Sequence, residues 1–408
     1  MNNGNIIRPK TARELGIMQG FPPPPEKRPS LENWDLAPFN RWTFLNIRSL
    51  FPTVEVRRGL QEASEFEKSL IDLSNMKFTN FAGNEKGFDS FLEETYTDGM
   101  LVYAKGKLIF EHYANDMHPE TPHLSQSVAK TIVGAVAGIL LENGTLERHA
   151  LLKTYVPELA VCGYGDATLD HVLSMQAGVQ FTEDYGLPHS DMTRVDVACG
   201  WRPALAGSKY ESIRDIILTL PKVREHGEVF DYRSIETDVI AWVLERVSGE
   251  SLPNLVSRLI WQSMGAERDG FFTVDRHGTA LADGGFNATL RDYARFGRLI
   301  LDSGKTGAPD IVPLSWVKDC QKGDAEKFHA PYINVTPNGA YKNKWWIRDV
   351  DRGDIAARGV FGQMIYVDRE NDYLVVKLSS WPDYVIPEYT IDTFLAIDAI
   401  RNLINSPV

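Results

Sequence analysis

Ser127-Val128-Ala129-Lys130 heads the apolar run Thr131-Ile132-Val133-Gly134-Ala135-Val136-Ala137-Gly138-Ile139-Leu140-Leu141. As a helix it places a hydroxyl and an amine three positions apart, on one face. Burial disfavours the charged amine, and so does a place in the first turn, near the positive end of the helix dipole. Both effects push Lys130 toward the neutral form, and a neutral lysine beside a serine hydroxyl is one way to make a nucleophile without histidine. The same four residues also suit a serine N-cap followed by a lysine that snorkels to solvent. The pattern alone does not choose between the two, so the rest of the chain must.

Bulk properties narrow the class. A chain of 408 residues, 43% hydrophobic and 24% charged, has the composition of a globular protein with room for two substructures and a full core. The formal net charge of -12 argues against a nucleic-acid partner, which requires clustered Lys and Arg, and against an anionic membrane surface. Cys162, Cys199 and Cys320 are widely spaced and odd in number, so neither a disulfide framework nor a C-x-x-C metal clasp is indicated, and a reducing compartment fits. The start Met1-Asn2-Asn3-Gly4-Asn5 lacks a basic region followed by an apolar core. The longest apolar stretch is too short to span a bilayer. A soluble cytoplasmic protein is expected; nothing in the pattern specifies an oligomeric state.

Residues 1–85 differ from the rest. They carry Phe21-Pro22-Pro23-Pro24-Pro25, which is extended and cannot pair in a sheet, and a scatter of Arg, Trp and Pro. This segment reads as an arm wrapping the body, with Trp34, Phe39, Trp42 and Phe44 as docking points. From Gly87 the pattern becomes regular: a helix over Phe88 to Tyr96, then strands Leu101 to Ala104 and Leu108 to Tyr113 joined by Lys105-Gly106-Lys107, a hairpin signature. The helix that begins at Ser127 stops at Asn143-Gly144. Residues 136–330 read mostly as helix and loop, including Ser234 to Val247, Leu252 to Met264 and a helix announced by Thr289-Leu290-Arg291-Asp292. Strands return over Lys344 to Asp349, Ala356 to Val367 and Tyr373 to Ser379, before an amphipathic helix over Thr390 to Ile404. Residues 86–135 and 331–408 therefore form one antiparallel sheet from both chain ends, with a mostly helical insertion and the reactive helix at the junction, where ligand clefts are preferred.

A lysine paired with a serine needs a second proton carrier. Asp231-Tyr232-Arg233-Ser234 precedes a helix and can aim the Tyr232 phenol and the Ser234 hydroxyl into one space. A nearby cation favours phenolate, a phenolate in turn holds lysine charged, and burial opposes both charges, so Lys130 and Tyr232 are one coupled unit. Sequence does not say which of the two holds the proton at rest. Taken separately, Tyr232 could equally be a buried tyrosine and Ser234 a helix cap.

With these two motifs in this order, the chain resembles the class C β-lactamase-like serine hydrolases, most closely the 6-aminohexanoate-dimer (nylon-oligomer) hydrolases and related esterases. The resemblance covers about Gly87 to Ile404. It rests also on Leu173-Ser174-Met175-Gln176-Ala177-Gly178, Glu183-Asp184-Tyr185, Gly284-Gly285-Phe286-Asn287-Ala288-Thr289, Trp345-Trp346 and Gly359-Val360-Phe361-Gly362-Gln363. It implies an α/β (α+β) fold of the β-lactamase/penicillin-binding-protein type. It implies Ser127 as nucleophile, Lys130 as its base partner, Tyr232 as the acid for the leaving group, and no cofactor. The oxyanion hole would be the backbone N-H groups of Ser127 and Val360, the latter following Gly359 at a strand start. Tyr185 resembles a loop tyrosine over the pocket, and Ser234, Asn287, Trp346 and Gly359 resemble pocket positions.

Departures from the family pattern matter as much. Lys305-Thr306-Gly307 matches the third β-lactamase motif in letters, but it follows a helix end among Asp302, Ser303, Gly304 and Pro309, where a loop is expected. The strand that should carry the motif reads Ala357-Arg358-Gly359, so the lysine that attracts a β-lactam carboxylate is missing. Arg358 could supply charge if it points inward; a solvated surface charge is the plainer reading. No H-E-x-x-H pair suggests a metal, and His123 and His189 could border the pocket, although lone histidines are usually structural. No G-x-S-x-G elbow surrounds Ser127. The expected substrate is a small ester or linear amide. A β-lactamase or D-alanyl-D-alanine peptidase-like activity and a non-catalytic ligand-binding module are the alternatives.

Overall fold

The computed structural model describes residues 8–185, 187, 189–204 and 211–406; residues 1–7 of the arm and Gly186 of the Tyr185 loop lie outside them. In chain order the described strands are β1 (Thr53–Val56), β2 (Lys77–Thr79), β3 (Glu85–Gly87), β4 (Thr97–Ala104), β5 (Lys107–Tyr113), β6 (Pro122–Leu124), β7 (Gly270–Thr273), β8 (Phe286–Thr289), β9 (Ala340–Lys342), β10 (Trp345–Asp349), β11 (Asp354–Gly359), β12 (Gln363–Asp368) and β13 (Tyr373–Ser379). Seven of them form one sheet, ordered β5-β4-β13-β12-β11-β10-β9, and every pairing is antiparallel. Both ends of the chain thus meet where β13 lies beside β4, the arrangement expected from the strand-like segments early and late in the sequence. The fold is mixed α/β, with antiparallel sheets flanked by helices.

Alternation along β13 shows how the sheet is buried. Tyr373 and Val375 face one core with Phe88, Phe91 and Ile397, whereas Leu374, Val376 and Leu378 face a larger core with Phe296 and Ile300. Helices Phe88–Glu94 and Pro387–Asn405 cover the first face, and helix Leu290–Asp302 covers the second. That last helix starts as its sequence suggests: Thr289 Oγ1 accepts from the Asp292 N-H and donates to the Asp292 carboxylate.

The run after Ser127 folds as a three-residue 3-10 turn, Gln126–Val128, followed by helix Ala129–Glu142. This helix is apolar almost all round because it is buried almost all round. Its small residues let neighbours close in: a β-carbon at Gly138 would lie 2.4 Å from the Trp316 ring, and one at Gly134 would lie 3.0 Å from the Asn343 carbonyl. It ends at Asn143, before Gly144 with φ +77°.

The mostly helical insertion also holds strands β7 and β8, which join β6 and, from the arm, β1 in a second sheet ordered β1-β7-β8-β6. Each is only a few residues long and buried on both faces, so neither shows the alternation that marks a strand. The single strand expected over Ala356 to Val367 is two, broken at Val360–Gly362, where Phe361 (φ +60°) and Gly362 (φ +87°) turn the chain. Gly359 therefore ends β11 instead of opening a strand, with Gln363 as its partner across the turn. The helix read over Leu252 to Met264 is α-helical only to Val256 and continues as a π-turn, Ser257–Trp261.

In the arm, Trp34 and Phe44 are buried and Phe39 and Trp42 half-buried. The Trp34 indole N-H donates to the Trp201 carbonyl at 2.9 Å, and its ring lies 4.9 Å from that of Trp201 and 5.0 Å from that of Phe51. Pro24 is extended (φ -56°, ψ 144°) before a short 3-10 turn. Among the described residues no helix is long and apolar enough to cross a membrane.

Candidate active site

Ser127 sits where the 3-10 turn passes into the buried helix, and the residue before it, Gln126, is held at φ +49°, a conformation that side-chain-bearing residues adopt at a cost. Ser127 remains half-exposed to a cavity of about 540 Å³. Lys130, 1% exposed, donates to Ser127 Oγ at 2.8 Å and to the Asp283 carbonyl at 2.7 Å. The N-cap of the helix is Val128, not Ser127, and it makes no side-chain cap bond. The cap-and-snorkel reading of Ser-x-x-Lys is thereby excluded.

Tyr232 arrives from the loop before helix Ile235–Ser248. Its ring stacks on Trp346 with centroids 5.2 Å apart, and the Lys130 ammonium nitrogen lies 5.2 Å from the ring centre. Burial pushes the Tyr232 phenol above its ordinary range, and Lys130 beside it only partly offsets that. For Lys130 the largest single effect, burial, favours the neutral amine, but Tyr232, Asp283 and Glu183 together outweigh it and hold the ammonium above the ordinary lysine range. Because the largest effect that raises Lys130 is the charge on Tyr232 itself, the two titrate as one coupled unit. Burial and the helix dipole alone favour a neutral lysine; they are opposed first by Tyr232 and then by Asp283 and Glu183, which other segments bring in.

Glu183 ties the Tyr185 loop to the tyrosine motif. One carboxylate oxygen accepts from the Tyr185 hydroxyl at 2.7 Å and from Ser234 Oγ at 2.5 Å, and the other accepts from the Ser234 N-H at 2.7 Å. The Tyr185 ring stacks on Tyr384 at 5.4 Å and lines the cavity. Ser234 is 2% exposed and borders a small chamber of about 30 Å³ behind Ser127 that also touches Lys130 and Asp283.

The end of β11 forms the facing wall. Gly359 and Val360 line the cavity with Ser127, and a β-carbon on Gly359 would lie 2.7 Å from the Ser125 carbonyl oxygen. Only glycine lets the strand come this close to the serine turn.

Other candidates move away from the site. Asn287 is 1% exposed within β8, paired on both sides, with its amide donating to the Gly285 carbonyl. It does not line the cavity. His123 is fully buried against Asp98 and the Leu124 carbonyl, and His189 is exposed on the surface. Lys305 is paired with Asp302 and Asp372 at a separate surface depression, so the Lys-Thr-Gly letters play no part here. Arg358, read as a solvated charge, instead turns inward: it lines the cavity, with its guanidinium carbon 4.9 Å from the centre of the Trp346 ring.

Sequence reading assigned no role to Glu183 and Asp283, which fall within or next to quoted phrases but are acidic residues like many others. Pro387, Thr390 and Thr393 of the last helix also reach the cavity. Their only signal was a helix face of small and polar residues.

Comparison with known proteins points the same way. A family model described as Beta-lactamase matches residues 88–389. The chain is 34% identical over 357 residues to a 6-aminohexanoate-dimer hydrolase of Paenarthrobacter ureafaciens, covering 87% of this chain and 89% of that protein. A solved structure named "Putative 6-aminohexanoate-dimer hydrolase from Bacillus anthracis" superposes with a TM-score of 0.85 at 26% identity, covering 94% of this chain and all of the other. The octameric penicillin-binding protein homologue from Pyrococcus abyssi shares the fold, with a TM-score of 0.59 at 16% identity over 78% of this chain and 75% of the other.

Proposed function

The chain belongs to the β-lactamase family and is a serine hydrolase, and on that premise we propose that it cleaves a small carboxylic ester or linear amide through an acyl-enzyme on Ser127. The observation that carries this reading is the buried 2.8 Å contact between Lys130 and Ser127 Oγ, opening into a cavity beside Tyr232. Ser127 can give up its proton when the coupled Lys130-Tyr232 unit holds one proton rather than two. The freed Lys130 amine then takes the serine proton as Oγ attacks the carbonyl carbon. Negative charge develops on the carbonyl oxygen between the Ser127 and Val360 N-H groups. Tyr232 protonates the departing amine or alcohol and is itself reprotonated through Lys130. Water then attacks the acyl-serine by the same route in reverse, releasing the acid.

The linear amide is favoured by likeness to a relative whose name gives a dimer of an ω-amino acid as its substrate. β-Lactams are disfavoured because Ala357-Arg358-Gly359 stands where the Lys-Thr-Gly strand is expected. The test is a panel of 4-nitrophenyl acetate, short linear amides including the 6-aminohexanoate dimer, and nitrocefin, each with Lys130→Ala and Tyr232→Phe alongside wild type. Hydrolysis of the ester or amides that collapses in both variants supports the proposal. Turnover of nitrocefin alone would replace it with a β-lactamase, and full activity in either variant would remove that residue from the mechanism.

A further inference from the structure

Three buried residues of the arm converge on residues 380–386, the segment that follows β13. The Asn40 amide, 0% exposed, donates to the Trp381 carbonyl at 2.6 Å. Arg41, paired with Asp98 at 2.9 Å, also donates to Ser380 Oγ at 2.9 Å. Asp35 forms a 2.6 Å ion pair with Arg202, and the Tyr384 hydroxyl lies 3.4 Å from that carboxylate and 3.3 Å from that guanidinium.

The same segment is bonded to the break between β11 and β12. The Phe361 N-H donates to the Tyr384 carbonyl at 2.8 Å, and the Phe361 carbonyl accepts from the Trp381 N-H at 3.3 Å. Phe361 holds φ +60°, a conformation that its surroundings must enforce. Gln363 braces the carbonyls of Val360 and Phe361 from β12, whereas the Phe361 N-H is answered by Tyr384. The arm also touches the turn directly, since the Phe44 ring packs edge-on against that of Phe361 with centroids 5.1 Å apart. Val360, the residue before Phe361, lines the cavity with Ser127.

We propose that Asp35 and Asn40 are positioning residues, through which the arm fixes the Val360 N-H by way of residues 380–386. The catalytic consequence rests on the proposed function, which makes that N-H an oxyanion donor; the clamp itself does not. Buried polar contacts suit the task because each sets a direction as well as a distance.

The test applies a kinetic and an exchange measurement to Asn40→Ala and Asp35→Ala, with Asn40→Gln and Asp35→Asn as conservative partners. Turnover of 4-nitrophenyl acetate is divided by the sites titrated to completion with a fluorophosphonate, so that misfolded protein is not counted. In the alanine variants kcat per titrated site is expected to fall by about ten- to a hundredfold, the scale of loss when a distant change misplaces reacting groups. The conservative variants should recover part of it. Amide hydrogen exchange at residues 359–363 is expected to be faster in the alanine variants, with helix Leu290–Asp302 unchanged. Fewer titrated sites with wild-type kcat per site would make the arm a folding element only and overturn the proposal. Exchange at 359–363 that stays at the wild-type rate, or that rises equally throughout the chain, also overturns it. A wild type that neither hydrolyses the ester nor is labelled would remove the proposed function, and locally faster exchange in the variants would then still uphold the clamp. Should the alanine variants not fold, Tyr384→Phe keeps the ring, loses the hydroxyl that faces Asp35 and Arg202, and is read by the same two measurements.

Discussion

Gly359 passes so close to Ser125 that a β-carbon on it would stand 2.7 Å from the serine carbonyl oxygen. This contact sets the end of β11 against the turn that carries Ser127, and so fixes the spacing between the Ser127 and Val360 N-H groups. Gly359→Ala is expected to push strand and turn apart and lower kcat by about 10²- to 10³-fold, the usual loss for one oxyanion donor. Steady-state kinetics on 4-nitrophenyl acetate with a thermal-unfolding control checks this. A variant that keeps wild-type kcat would contradict the assigned oxyanion site.

The acid limb of activity should answer to Asp283. Its charge helps hold Lys130 protonated, so kcat/KM is expected to rise with pH as the Lys130-Tyr232 unit loses one proton. Asp283→Asn removes an anion beside Lys130, lowers the lysine pKa and moves that limb to lower pH. A pH profile of kcat/KM for the two proteins reads the shift, and a limb that stays put or moves to higher pH refutes this reading of the electrostatics.

Glu183 is a positioning residue. It receives three hydrogen bonds, from Tyr185 and from both polar groups of Ser234. Glu183→Ala should release the tyrosine and raise KM by roughly tenfold or more, the worth of hydrogen bonds to a charged acceptor. Glu183→Gln, which still accepts, should recover part of the loss, a split between KM and kcat that mere unfolding would not produce.

An unpaired guanidinium in an apolar cavity costs stability. Arg358→Met, which removes a half-buried charge without an ion-pair partner among the described residues, is expected to leave the protein at least as stable as wild type. Denaturant titration measures it, and a destabilised variant would show that the charge is compensated within the chain.

Local patterns carried most of the fold. The apolar run after Ser127, the hairpin at Lys105-Gly106-Lys107 and the capped start at Thr289 each form from neighbours in sequence, and each was legible there. What was not legible depends on distant partners. The balance on Lys130 is struck between its burial and the charges of Tyr232, Asp283 and Glu183, brought in by other segments. Asn287 is consumed by strand pairing with β6 and β7. The inward turn of Arg358 depends on where β11 ends, and the break at Val360–Gly362 falls inside a continuous strand-like pattern. The site is similar: Ser127, Lys130 and Tyr232 converge as their motifs suggest, whereas their protonation and the wall opposite them come from tertiary contact.

In the proposed reaction the acyl group is transferred to Ser127 Oγ. The most direct measurement is intact-mass analysis of enzyme quenched in acid during turnover of 4-nitrophenyl acetate, followed by peptide mapping. A single added acetyl group is expected on the peptide containing Ser127, absent in Ser127→Ala, which is also expected to be inactive. An acetyl group mapped to another residue, or a Ser127→Ala protein that turns over at the wild-type rate, would contradict it.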